Sequence, residues 1–176
     1  MIMRPGQALL LPASATFIWG SMVVAFLLNV FLNLSMESSG QWLPDVLAMT
    51  LVFWNLNQTR RVGLAAAFAF GLMMDVHQSA LLGQHALAYS VMAYFAVTLH
   101  RRLAFFSASE QALQLIPLFV GGHALQWLVR WVADGSWPQW PALIAPLCDL
   151  LLWPTLAYVL LAPQRRAPDP DNNRPL

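Results

Sequence analysis

The 176 residues are 59% hydrophobic and 10% charged, with a mean hydropathy of +0.57. Soluble domains carry about 25% charged residues, so a water-soluble fold is excluded and an all-α integral membrane protein of one domain is predicted. A net charge of +1 gives no basis for nucleic-acid binding, and the lone Cys148 excludes an intrachain disulfide and a cysteine metal cluster.

The first apolar run, 13–34, is longer than a signal-peptide core and lacks an A-x-A cleavage site at its end. It is expected to be a retained first span over 14–34. Ser21, Ala25, Asn29, Asn33 and Glu37 recur every four residues there, a small-to-polar stripe that should face other helices. Trp42 marks the interface, and Pro44-Asp45 opens span two, with proline in the first helical turn and Asp45 favoured by the helix dipole. The apolar part of span two, 46–56, is short; 42–59 would cross a locally thinned bilayer or form a re-entrant segment.

After Arg60-Arg61 comes a hairpin over 63–94. Gly63, Ala67, Gly71 and Asp75 lie four apart on its rising helix: three small residues that permit close helix approach, then a carboxylate. Span four, 84–99, opens at Leu82-Gly83-Gln84-His85 and ends at His100-Arg101-Arg102. A carboxylate packed there needs a partner. The N–H groups near Gly83 to His85 and the guanidinium of Arg130 are the two candidates for Asp75.

The loop 103–110 should lie at the interface, with Ser107 and Glu110 capping span five, 111–132, which contains Pro117. Gln126, Arg130 and Asp134 form one stripe near its far end, and His123, Trp127 and Trp131 another, with His123 read as a packed core residue. Gly135-Ser136-Trp137-Pro138 ends the helix, and Trp131, Trp137 and Trp140 suggest an aromatic belt. Span six, 141–161, holds Asp149 near its centre. With no partner in its own helix, Asp149 should be protonated or bonded to another helix. The transmembrane domain is thus 1–162, followed by a disordered cytoplasmic tail over 163–176.

Arg4, Arg60-Arg61, Arg101-Arg102 and Arg165-Arg166 fall in alternate turns, counting both termini, while Glu37, Asp75 and Asp134 mark the others. The positive-inside rule then predicts a six-transmembrane-helix bundle with both termini cytoplasmic. Arg130 lies on the far side and would be tolerated there if paired with Asp134, Asp45 or Asp75. Asp45, Asp75, Arg130 and Asp134 admit proton relay or ion passage as one reading and structural pairing as the other. Asp75, His77 and His85 fit no zinc spacing, and no phosphate loop, nucleophile elbow or HExxH is present. No cofactor, metal or catalytic residue is therefore expected.

Several stretches in order resemble the MreD family of the bacterial rod-shape machinery. They are Pro44-Asp45, the run from Phe53-Trp54 to Arg60, Phe70-Gly71-Leu72-x-x-Asp75, Leu82-Gly83-x-x-Ala86-Leu87-x-Tyr89, and Arg101-Arg102. Two positions depart from the family pattern: Arg61 stands where proline usually follows, and Ser79 where a glycine often follows Asp75 by four. The resemblance implies a non-enzymatic protein of the bacterial inner membrane. Its implied partners are MreC, the MreB filament indirectly, RodA with its class B penicillin-binding transpeptidase, and membrane lipid. It also implies a fold similar to the S-component of energy-coupling-factor transporters. That similarity keeps open a second reading, a small molecule or lipid-linked precursor bound in an outward cavity near Asp45, Asp75, His85 and Arg130. Asp45, Gly71, Asp75, Gly83, His85, Arg130 and Asp149 are the structural or binding candidates.

Overall fold

The computed structural model of the chain describes residues 13–35, 43–137 and 139–164, in six α-helices and no strand among those residues. They are α1 (Ala15–Ser35), α2 (Val46–Asn57), α3 (Leu64–His77), α4 (Gln84–Leu103), α5 (Ala108–Asp134) and α6 (Ala145–Leu161). The expectations for Arg4, Glu37, Trp42, Pro138, Arg165, Arg166 and the tail from 165 onward lie outside the described residues. Within the described part of that tail, Pro163 and Gln164 belong to a 3-10 turn, Ala162–Gln164, that continues α6. Gln164 is buried and its Nε2 donates to Leu160 O at 2.9 Å, which ties the end of this turn to α6.

The outer faces of the helices are as apolar as the inner ones. Val24 and Phe31 are each 64% exposed and Leu151 79%, an outside that water would penalise and lipid would not. By length and composition Ala15–Ser35, Ala108–Asp134 and Trp140–Gln164 can each cross a bilayer. Arg60 and Arg61, in the turn after α2, and Arg101 and Arg102, in the last turn of α4, are exposed. Arg61 Nη1 donates to Ala13 O at 2.7 Å, tying that turn to the start of α1.

α2 is the axis of the bundle. It has 12 residues, about 18 Å at 1.5 Å per residue, against a hydrocarbon core of about 30 Å. All residues from 47 to 55 are buried, enclosed by α1, α4 and α6. A helix surrounded by protein has no lipid thickness to match, which is why so short a segment is stable here. Pro44 stands before the cap residue Asp45 and not in the first turn, as the sequence had suggested. Phe53 and Trp54 pack edge-on, and Trp153 of α6 meets both Phe53 and Phe119, with ring centroids 6.4 and 5.8 Å apart. Trp54 Nε1 donates to Ser21 Oγ at 2.8 Å, and Ala25 and Asn29 are buried, so the described part of the stripe on α1 faces inward.

α3 and α4 form the most extensive helix contact, as the tight hairpin predicted. A Cβ at Gly71 would sit 2.6 Å from Ala86 N and 2.9 Å from His85 C, so only glycine lets the two backbones meet. α5 opens where expected: Glu110 Oε2 accepts from Ser107 N at 2.8 Å and from Ser107 Oγ at 2.9 Å. It closes at Gly135, whose φ of 70° turns the chain away. Span six does not start as a helix at 141. Trp140–Ile144 forms a 3-10 turn and α6 begins at Ala145, so Asp149 lies one turn inside α6 and not at its centre.

Candidate functional site

The polar side chains gather at the end of the bundle opposite the exposed arginines, around the start of α2. Its first N–H groups have no helical partner and must find one. Asp45 is the N-cap: its Oδ1 accepts from Ala48 N at 2.9 Å and from Asn29 Nδ2 of α1 at 2.7 Å. Asn29 returns the bond, its Oδ1 accepting from Val46 N at 3.0 Å. Oδ2 of Asp45 accepts from the Tyr89 hydroxyl of α4 at 2.6 Å. The Asp45 N–H donates to Asp149 Oδ1 of α6 at 2.7 Å. Three helices thus hold one helix start.

Asp149 is fully buried, and His123 Nε2 of α5 lies 2.7 Å from its second oxygen. An ionised carboxylate only accepts, so that geometry calls for the tautomer with the proton on Nε2. Asp149 is cross-bonded, one of its two predicted states. His123 is more than the packed core residue expected, because it supplies half of a buried pair.

Asp75 repeats the pattern at the α3–α4 junction. It is 1% exposed, and the start of α4 surrounds it with donors. Oδ2 accepts from Gly83 N at 2.8 Å and Ala86 N at 3.3 Å, and Oδ1 from His85 N at 2.7 Å. His85 Nδ1 lies 2.8 Å from Oδ1 as well. Several charge-assisted bonds from one helix N-terminus are how a carboxylate is held away from water. Gly83, at φ 104°, supplies the left-handed backbone that aims these N–H groups. The His85 ring then meets the Tyr89 ring edge-on at 5.8 Å, joining the Asp75 cluster to Asp45. The chain of contacts runs Asp75, His85, Tyr89, Asp45, Asp149, His123, across five helices.

Beside this network is a cavity of about 620 Å³, lined by residues of α1, α3, α4 and α5 and by the approaches to α2 and α6. Asp45, His85 and His123 reach its wall, whereas Asp75 and Asp149 lie behind it. Arg130 also lines it, and here the sequence expectation fails. Among the described residues the ion pairs within 4.0 Å are the two His–Asp pairs, so Arg130 pairs with none of Asp134, Asp45 or Asp75. The physical reason is competition: Asp45 and Asp75 are filled by nearer donors, and exposed Asp134 accepts from Ser136 N at 3.0 Å and Ser136 Oγ at 2.6 Å.

Of the sequence candidates, Asp45, Asp75, Gly83, His85 and Asp149 come together in the network or its support, Gly71 lets the hairpin close, and Arg130 stands apart in the cavity. Tyr89 and His123 complete the network. Tyr89 follows His85 by one turn, a spacing that puts both on one face. His123 and Asp149 are 26 positions apart on different helices, and no periodicity connects them. Each histidine–aspartate pair bridges two helices, His85 of α4 to Asp75 of α3 and His123 of α5 to Asp149 of α6.

A family profile described as the rod shape-determining protein MreD matches residues 13–161. The chain belongs to the MreD family. That match encloses every residue of the network, from Asn29 to Asp149. Among curated relatives, the rod shape-determining protein MreD of Haemophilus influenzae is 27% identical over 123 residues, covering 70% of this chain and 75% of the relative. No solved structure matches. As a member of the MreD family the chain is a rod-shape-determining membrane protein.

Proposed function

We propose that this protein is a non-enzymatic scaffold of the peptidoglycan elongation machinery in the bacterial inner membrane. It binds MreC and through it links the MreB filament to RodA and its class B penicillin-binding transpeptidase. In this reading the six helices form one transmembrane bundle, the short α2 enclosed within it, and both termini are cytoplasmic, on the side of Arg60, Arg61, Arg101 and Arg102. The observation that carries it is the division of labour in the side chains. The buried acids and histidines are spent on bonds that lock helices together, and the outside is apolar along α1, α5 and α6. A rigid bundle with an apolar exterior offers a partner helix a surface for packing, the main source of helix association in lipid. The family match favours this reading over an S-component-like protein whose main role is to bind a small molecule or lipid-linked precursor.

Co-purification tests it. Full-length MreC, tagged and co-expressed, should retain this protein through detergent extraction and reconstitution into nanodiscs. Loss of the association in both environments would overturn the scaffold reading.

A further inference from the structure

The polar cavity has more hydrogen-bonding capacity than the protein uses. Gln84 is 3% exposed and lines the cavity, yet its Oε1 is buried with no partner. Such a group costs about 1–3 kcal/mol when left unsatisfied. Gln126, 8% exposed, lines the same wall, and neither it nor the half-buried His77 and Arg130 has a side-chain hydrogen bond or ion pair among the described residues. Among the described lining residues Arg130 is the one fixed positive charge. The one carboxylate among the described lining residues, Asp45, has both oxygens occupied by Asn29, Ala48 and Tyr89.

These features select the chemistry of an occupant. A cation would be repelled by the guanidinium and would meet a carboxylate whose oxygens are already hydrogen-bonded. An apolar molecule would bury the Gln126 amide and Arg130 without hydrogen-bond partners, which is costly. An anion satisfies Arg130, and the planar guanidinium fork suits phosphate oxygens. The amides of Gln84 and Gln126 both donate and accept, the pattern that hydroxyl groups match. A volume of about 620 Å³ is in the range of small-molecule sites. We propose that this cavity binds the phosphate ester of a polyol, with Arg130 on the phosphate and the Gln84 and Gln126 amides on the hydroxyls.

That chemistry has two sources, a glycerol phospholipid headgroup from the bilayer and a soluble sugar phosphate. The full-length protein in phosphatidylcholine nanodiscs is the test system. One arm adds phosphatidylglycerol to the disc and follows retained lipid by native mass spectrometry. The other adds glucose 1-phosphate and follows the melting midpoint and bound mass. Binding is expected in at least one arm, which also identifies the source. Arg130→Gln should weaken it about tenfold or more, and Gln126→Leu should weaken it while melting like wild type without ligand. Arg102→Gln, at the opposite end, should bind as wild type. Absence of binding in both arms would overturn the proposal. So would undiminished binding by both cavity variants, or an equal loss in Arg102→Gln, which would indicate general charge attraction. If Arg130→Gln fails to fold, Gln126→Leu against Arg102→Gln decides alone.

Discussion

Ser79 has a φ of 50°, in the left-handed region that side chains other than glycine seldom occupy. The reason is the way α3 stops. Ala80 N donates to Asp75 O at 3.0 Å and Ser79 N to Val76 O at 3.4 Å, the paired bonds of a Schellman ending, and Ser79 holds the position where glycine is usual. The turn matters because the carboxylate of Asp75, in the last helical turn, must meet the N–H groups of α4. The departure from the family pattern noted in the sequence is therefore a strained position and not a different turn. Ser79→Gly should relieve the left-handed backbone, partly offset by the greater freedom of glycine in the unfolded chain. A net gain of about 0.5–1 kcal/mol is expected, read as a higher melting midpoint in detergent. A lower midpoint would show that the Ser79 side chain contributes more than its backbone costs.

At the scale of elements, helix ends were legible and helix surroundings were not. Ser107 with Glu110 and the glycine at 135 announce the limits of α5 because capping is local chemistry, decided within four residues. The small-residue stripe on α3 likewise pointed to close packing, and Gly71 is where it happens. What surrounds α2 had no such signal, since an apolar run reads the same against lipid as against protein. The level of Asp149 was misplaced because nothing distinguishes a 3-10 turn at 140–144 from the first turns of a helix. The N–H groups of Gly83 and His85 could be named as partners of Asp75 because the hairpin is short, whereas the partners of Asp45 on α1, α4 and α6 depend on how the helices are arranged. The α3–α4 contact yields a direct test. In Gly71→Ala the new methyl would meet the backbone of Ala86, which has no flexible end to move aside. The helices must separate, and the N–H groups of Gly83, His85 and Ala86 draw away from Asp75. Overpacking of this kind costs about 1–3 kcal/mol. Gly121→Ala, where nothing lies within 4 Å of the added methyl, should cost none of it. Comparable melting midpoints for the two variants in the same detergent would refute the close-approach argument.

For the molecule as a whole, the start of α2 is where the bundle is tied together. A bilayer offers little hydrophobic drive for helix association, so geometry must come from packing and from polar bonds between helices. Asp45 accepts from α1, α4 and its own first turn, and its N–H reaches α6. Each bond alone is modest, on average about 0.6 kcal/mol in a membrane bundle, but losing the carboxylate strands several donors at once. In Asp45→Ala the Asn29 amide, the Ala48 N–H and the Tyr89 hydroxyl all lose their acceptor, while the bond from residue 45 N–H to Asp149 can persist. Adding a lost cap to orphaned donors gives about 2–3 kcal/mol of destabilisation. Asp45→Asn separates charge from geometry. Its carbonyl oxygen still caps Ala48 and meets Asn29, and its amide can donate to the Tyr89 oxygen, so most of the stability should return. Because the four helices α1, α2, α4 and α6 share this node, the alanine variant should lose stability in one cooperative transition. Tryptophan fluorescence, which reports on Trp54 and Trp153 in the core, and protease resistance of the α2–α3 turn should shift together. Equal midpoints for the alanine and asparagine variants would mean that packing alone holds α2 in place.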